Sequence, residues 1–229
     1  MTSLWLGRAH LKRDASVAAL ARLLVPDDPH ARVAAAHRLV WSLFADDPDR
    51  RRDFLWREEK PGHFMTLSSR PPADPHDLFD LESKAFEPAL EAGDALSFTL
   101  RVNPVIARPE VRGQRGKRHD VVMDALRDVP DGERASARFE AISTAGRAWL
   151  ARQGAAHGFT PLGPAVCDGY DRIRLPRPGK QPPAIFGVMD ISGVLEVRDP
   201  AAFLTQLAAG FGRARAHGYG LMLIRRIRI

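Results

Sequence analysis

Strands and helices are predicted in the same order twice along this chain, and that repetition limits the folds that its 229 residues can adopt. The first half reads as a strand at 3–11, an amphipathic helix, strands at 53–58 and 63–69, a short helix at 76–81 and extended chain at 84–88. The second half reads as a strand at 95–106, a helix at 136–153, strands at 159–175 and 184–197, a helix at 199–207 and a strand at 221–229. The βαββαβ order is typical of ferredoxin-like domains. The sequence therefore predicts an α+β fold of two tandem ferredoxin-like domains, residues 1–92 and 93–229.

The first helix has clear start and stop signals. Asp28 is a typical N-cap, Pro29 suits the first turn, and the Asp-Asp-Pro sequence at 46–48 predicts the end of the helix. At about 100° per residue, the apolar side chains fall on one side and predict the buried stripe: Val33, Ala36, Val40, Leu43 and Phe44.

His37 lies at the edge of this stripe, with Trp41 one turn further along and Arg38 on the more polar side. An imidazole that is half in the core and half exposed can transfer protons near neutral pH, because burial tunes its pKa. A structural histidine at the edge of a core would show the same spacing. Helical periodicity alone therefore leaves both interpretations open.

Basic residues are concentrated in one segment. The chain has 34 Lys and Arg against 28 Asp and Glu, a formal net charge of +6. Between 101 and 119 a single acid, Glu110, faces six cations: Arg101, Arg108, Arg112, Arg115, Lys117 and Arg118. Such a cluster favours acidic partners, above all nucleic acid, although a solvated loop of arginines is the alternative.

Several protein classes are excluded by composition. One cysteine, Cys167, permits neither an internal disulfide nor a cysteine-based zinc site, and the eight histidines show no metal-ligand spacing. The N-terminal residues do not resemble a signal peptide, and no apolar run approaches the roughly 20 residues of a membrane span. We expect a cytoplasmic protein without a metal, a cofactor or a membrane role.

Residues 210–220, GFGRARAHGYG, form a glycine-rich segment with two arginines, Arg213 and Arg215. Its glycines are Gly210, Gly212, Gly218 and Gly220. Glycines let a backbone turn sharply and approach a phosphate closely. The segment does not follow a strand and open a helix, so it is neither a dinucleotide fingerprint nor a P-loop. A plain turn between a helix and a strand is the alternative.

Five motifs occur together in a fixed order: HRLVW at 37–41, DFLW at 53–56, RVNP at 101–104, GVLEVRDP at 193–200 and GFGRARAHGYGLM at 210–222. Their combination resembles the CRISPR-associated CasE family, the endoribonuclease subunit of type I-E systems. The resemblance implies a metal-independent enzyme that binds the stem-loop repeat of CRISPR precursor RNA. It would cut at the 3′ base of the hairpin by 2′-hydroxyl attack, leave a 2′,3′-cyclic phosphate, and keep the crRNA as a subunit of Cascade.

The same resemblance implies roles for individual residues. The catalytic histidine of the family matches His37, and its glycine-rich loop matches the four glycines above. RNA contacts are expected from Arg38, Arg101, Arg112, Arg115, Lys117, Arg118, Arg213 and Arg215. Many members carry a tyrosine three residues before the histidine, where this chain has Ala34, and Tyr219 is the substitute that the sequence offers. That difference keeps a second hypothesis open, a non-catalytic subunit that caps the crRNA hairpin.

Overall fold

A computed structural model describes residues 3–14, 17, 19–47, 49–108, 116–175 and 181–227. Its strands are β1 (Leu4–Leu11), β2 (Phe54–Lys60), β3 (His63–Ser68), β4 (Phe79–Phe86), β5 (Ala95–Val102), β6 (Val105–Arg108), β7 (Lys117–Asp120), β8 (Phe159–Leu175), β9 (Ala184–Val197) and β10 (Met222–Arg226). Its α-helices are α1 (Ala21–Leu24), α2 (Pro29–Ser42), α3 (Val121–Ala125), α4 (Arg134–His157) and α5 (Pro200–Ala209), with 3-10 turns at Asp131–Glu133 and Arg215–His217.

Two four-stranded antiparallel sheets have the same topology. The first has the strand order β2-β3-β1-β4 and the second the order β10-β5-β9-β8. In both sheets, the first strand of the unit lies between its third and fourth strands, and the second strand is at the edge. This is the order of a ferredoxin-like sheet, so the prediction of two tandem ferredoxin-like units is confirmed.

Helix α2 covers one face of the first sheet. It begins as predicted, because the Asp28 side chain accepts a hydrogen bond of 2.7 Å from the Ala31 amide. The helix buries Ala36, Leu39, Val40, Leu43 and Phe44 against aromatic residues of the sheet, whereas Val33 is only half-buried. The stripe predicted from periodicity is therefore nearly the buried one, and His37 lies at its edge.

The opposite face of the first sheet packs on the second unit. Leu55 of β2 and Leu67 of β3 belong to the same buried cluster as Phe98, Leu100 and Val102 of β5. The two units thus share a core, which holds α2 against loops of the second unit. The proposed domain limits, 1–92 and 93–229, stay a prediction.

Two local predictions are wrong. The segment at 76–81 is no helix, because β4 begins at Phe79 and pairs with β1 along its length. Most of β4 is exposed, so it lacks the alternation by which a half-buried strand is recognised. In α4, periodicity over 136–153 predicts that Phe139 faces inward with Ile142 and Ala145. Phe139 is instead 79% exposed, and the fully buried residues begin only at Gly146. Periodicity gives the direction of a stripe but not how far along a helix the core extends.

The basic segment forms part of a β-hairpin. Strands β6 and β7 pair antiparallel directly after β5, from Val105 opposite Asp120 to Arg108 opposite Lys117. We call these two strands the basic hairpin. None of the helices in the described part of the chain is long and apolar enough to cross a membrane.

Candidate active site

His37 is held by a backbone carbonyl of the second unit. Its Nδ1 lies 2.7 Å from the oxygen of Ala216, and the indole Nε1 of Trp56 donates to the same oxygen over 3.1 Å. A carbonyl oxygen can only accept hydrogen bonds, so His37 Nδ1 carries a hydrogen. The other ring nitrogen, Nε2, is therefore the one that can take or give a proton, and the half-buried ring has a defined orientation.

The glycine loop (residues 210–220) brings Ala216 to this position. All four of its glycines have positive φ, between 66° and 99°. A Cβ at Gly212 would lie 2.6 Å from the Asn103 carbonyl oxygen, and one at Gly218 would lie 2.9 Å from the Trp56 ring. Side chains are thus excluded by both conformation and space. The glycines let the loop pack tightly between α5 and β10, as a helix-to-strand turn.

Arg52, just before β2, is a candidate that sequence reasoning missed. Its guanidinium is half-buried, and its Nη1 is buried with no hydrogen-bond partner among the described residues. Burial, and then the positive charge of Arg215, lower its pKa. Buried donors almost always have an acceptor. A phosphate oxygen would supply both the acceptor and the negative charge that this guanidinium lacks.

His217, in the 3-10 turn of the glycine loop, is the second residue that was missed. Its ring centroid lies 5.7 Å from that of His37, with the planes inclined by 38°. Its ring also stacks on that of Phe186 of β9, with the centroids 6.2 Å apart. Burial lowers the pKa of His217, and the positive charges of His37 and Arg52 lower it further. No spacing in the sequence identifies His217 or Arg52, because His37 and Arg52 come close to His217 only in the folded chain.

The other arginines that are predicted to bind RNA near His37 differ in their exposure and in their hydrogen bonds. Arg38 is exposed on α2, and Arg213 is exposed in the glycine loop, where its backbone pairs with Asn103. Arg215 is half-buried and donates to the carbonyl groups of Ala209 and Gly210. The side chains of Arg38 and Arg213 are therefore the ones that can contact a large ligand at the surface around His37.

Arg101 and Tyr219 line a small cavity next to His217. The cavity, of about 50 Å³, is lined by Trp56, Glu58, Arg101, His217 and Tyr219, among others. Arg101 donates to both carboxylate oxygens of Asp190, at 2.9 and 3.0 Å, so its charge is already balanced. Tyr219 is 7% exposed, and burial raises its pKa to about 12. Its hydroxyl stays protonated at neutral pH, so it is poorly suited to act as a base.

The basic hairpin presents exposed cations outside this cleft. Lys117 and Arg118 are exposed on β7, whereas Arg108 of β6 forms a bidentate ion pair with Asp124 at 2.8 and 2.9 Å. Arg112 and Arg115 lie outside the described residues. Within the described ranges, no three His, Cys, Asp or Glu side chains are grouped closely enough to hold a metal ion.

The chain thus has two ferredoxin-like units, with a histidine and arginines where the units meet. Comparison with known proteins shows which protein family has this arrangement. The family model described as CRISPR associated protein matches residues 4–226. The chain belongs to this CRISPR-associated protein family.

Three relatives illustrate the similarity. The CRISPR system Cascade subunit CasE of Escherichia coli (strain K12) is 26% identical over 200 residues, which are 81% of this chain and 88% of the relative. Thermus thermophilus Cse3, bound to an RNA representing a pre-cleavage complex, aligns with a TM-score of 0.68 and 24% identity over 97% of this chain and 99% of that one. Cas6e from Escherichia coli K-12 aligns with a TM-score of 0.61 and 20% identity over 97% and 100%.

Proposed function

We propose that this protein is a CRISPR RNA endoribonuclease that binds the stem-loop repeat of the precursor, cuts it, and keeps the product as a Cascade subunit. The observation that carries the proposal is the environment of His37. Its Nδ1 is fixed by the Ala216 carbonyl, and its Nε2 has no hydrogen-bond partner among the described residues. Arg52, whose Nη1 has no partner in the same part of the chain, belongs with His37 to the positive charges around His217. The names of its relatives, a Cascade subunit and an RNA-bound Cse3, agree with this activity.

The proposed chemistry is an internal transesterification of RNA. The 2′-oxygen next to the cut attacks the phosphorus, the bond from phosphorus to the 5′-oxygen breaks, and the products are a 2′,3′-cyclic phosphate and a 5′-hydroxyl. One proton leaves the 2′-hydroxyl and another reaches the 5′-oxygen, so the reaction needs a base and an acid. His37 supplies one of these through Nε2. Arg52 stabilises the extra negative charge on the phosphorane, a task for which a preorganised buried cation is well suited.

A labelled repeat hairpin tests this reaction. We expect the parent protein to cut it once, at the 3′ base of the stem, in about 5 mM EDTA, an excess of chelator. Side chains transfer the protons and stabilise the charge in the proposed mechanism, so chelation should not stop the reaction. The matched substrate carries a 2′-deoxy nucleotide at the cut. It should bind equally well and stay intact, because the nucleophile is missing. Loss of cutting in EDTA, or cutting of the deoxy substrate, would contradict the mechanism.

The hypothesis of a non-catalytic cap stays open because of position 34. Ala34 is exposed and has no group that could transfer a proton, and Tyr219 is buried. The hairpin assay separates the two functions. Binding of the hairpin without any cutting by the parent protein would favour the cap.

Affinity for the stem is expected to come from the basic hairpin. The deep groove of A-form RNA resists reading by side chains, so contacts to phosphates should dominate. We predict that neutralising Arg115, Lys117 and Arg118 together weakens binding and makes the slope of log K against log salt shallower by about 2. Gel-shift titrations at several salt concentrations measure this slope.

A control triple variant removes the same net charge elsewhere. Three surface arginines are paired with acids in the described structure: Arg8 with Glu82, Arg134 with Asp131, and Arg198 with Glu196. Their replacement by glutamine should leave the salt slope nearly unchanged, because these arginines lie outside the basic hairpin. If both triple variants shift the slope equally, the RNA responds to net charge rather than to the basic hairpin.

A further inference from the structure

The proposed reaction needs two proton transfers, and a second imidazole lies beside the first. The ring centroids of His37 and His217 are 5.7 Å apart, so both rings can reach a single phosphate group. His37 is fixed by the Ala216 carbonyl on one edge, and His217 follows Ala216 directly in the chain. The same short turn therefore sets the positions of both imidazoles relative to one another.

The rings around His217 limit the orientations that its imidazole can take. Its ring neighbours the imidazole of His37 and stacks on the ring of Phe186, and the centroid of Phe186 is in turn 5.7 Å from that of Tyr219. Its half-buried position leaves part of the ring accessible. Neither position considered from the sequence for a second proton transfer serves as well, because position 34 holds an alanine and Tyr219 is only 7% exposed, with its pKa raised by burial.

Resting on the proposed function, we propose that His217 is the base that accepts the 2′-hydroxyl proton while His37 Nε2 donates a proton to the departing 5′-oxygen. The bond between the 2′-oxygen and phosphorus forms as the bond from phosphorus to the 5′-oxygen breaks. His217 ends the step protonated and His37 ends it neutral. Exchange with water then restores both rings.

The charges around His217 favour this division of roles. His37 on α2 and Arg52 before β2 face it with positive charge, and together with burial they lower its pKa. Glu58 of β2 and Arg101 of β5 line the cavity beside it, and Arg101 is already paired with Asp190. The lowered pKa favours the neutral form of His217, which is able to accept a proton. The acidic limb of the cleavage profile should lie below pH 6.5, since protonation of the base stops the reaction.

A substrate with a sulfur leaving group separates the two roles. In a bridging 5′-phosphorothiolate the departing atom is sulfur, and a thiolate leaves without being protonated because thiols are far more acidic than alcohols. With the normal linkage, His217→Phe and His37→Ala should each cut about 100-fold more slowly, or worse, than the parent protein. With the sulfur linkage, His37→Ala should come within about tenfold of the parent rate, as loss of an acid predicts. His217→Phe should stay slow.

Controls separate this role from a structural one. His217→Phe keeps a ring to stack on Phe186, and His217→Gln is a second variant in case the phenyl ring disturbs the loop. His63 of β3 and His10 of β1 form another histidine pair, with ring centroids 4.3 Å apart. The control His63→Phe removes one imidazole of that pair and should cut both substrates like the parent. Hairpin binding by both His217 variants should be unchanged.

Four outcomes decide the proposal. Slow cutting of both substrates by the two His217 variants, with rescue of His37→Ala by sulfur, supports it. If either His217 variant cuts the normal linkage as fast as the parent, His217 has no catalytic role, whereas the proposed function is unaffected. Rescue of His217→Phe by the sulfur linkage overturns its assignment as the base. A parent protein that does not cut the hairpin overturns the proposed function itself, and the base with it.

Discussion

Replacement of His37 by alanine is expected to slow hairpin cleavage by about 10²–10⁴-fold, the usual contribution of a general acid or base. Binding of the hairpin should be nearly unchanged, because the phosphate contacts that we expect from the basic hairpin, Arg38 and Arg213 do not involve the His37 side chain. The variant loses the hydrogen bond to the Ala216 carbonyl as well as the free Nε2. Single-turnover cleavage and gel shifts on the same preparation measure the two effects separately.

His37→Asn is the matched variant. Its side-chain amide can still donate to the Ala216 carbonyl but cannot exchange a proton near neutral pH. If His37 transfers protons, His37→Asn should be as slow as His37→Ala. Recovery of most of the rate in His37→Asn would mean instead that the histidine acts by holding the glycine loop.

Replacement of Gly220 by alanine is expected to damage both stability and activity. Gly220 has a φ of 99°, and an added Cβ would lie 2.3 Å from the Phe211 carbonyl oxygen, which belongs to the backbone. Backbone strain of about 1 kcal/mol and a clash of about 1–3 kcal/mol should together lower the free energy of unfolding by about 2–4 kcal/mol. For a chain of this size that corresponds to roughly 4–16 °C in Tm, measured by circular dichroism. The cleavage rate of the remaining folded protein should also fall, because the shifted loop carries the Ala216 carbonyl away from His37.

Gly93→Ala is the control for this prediction. Gly93 has nearly the same φ, 97°, but nothing lies within 4 Å of an added Cβ. It therefore carries the backbone strain without the clash, and its Tm should fall by roughly a third as much. Cleavage by Gly93→Ala should match the parent. Equal losses of Tm in the two variants would show that conformation alone, and not packing of the glycine loop, governs this position.

Much of the fold could be predicted from local patterns. The hairpin of β2 and β3 follows from two apolar runs around a Pro-Gly turn, and α2 follows from its cap and its stripe. Strand β4 could not be recognised, since an exposed edge strand carries little hydrophobic pattern. Phe139 was misplaced because only contact with the second sheet determines where burial begins along α4.

The candidate site was only partly predictable. His37 stands out through its position at the edge of a helical stripe and through the resemblance of its motif. Arg52 and His217 do not, although both lie in or next to motifs quoted for that resemblance. What distinguishes them is burial without a partner in one case and a neighbouring imidazole in the other. Neither property belongs to a residue type or a spacing.

The sequence alone determined helix α2 with its histidine, the pairing of β2 with β3 and the basic character of the segment after β5, because each depends on residues that are neighbours in the chain. Only the tertiary structure decided what His37 contacts. Its hydrogen-bond partner, Ala216, is 179 residues away, and the two meet because Leu55 and Leu67 pack the first sheet into the core of the second unit. Packing between distant segments sets these distances, and no local periodicity encodes them.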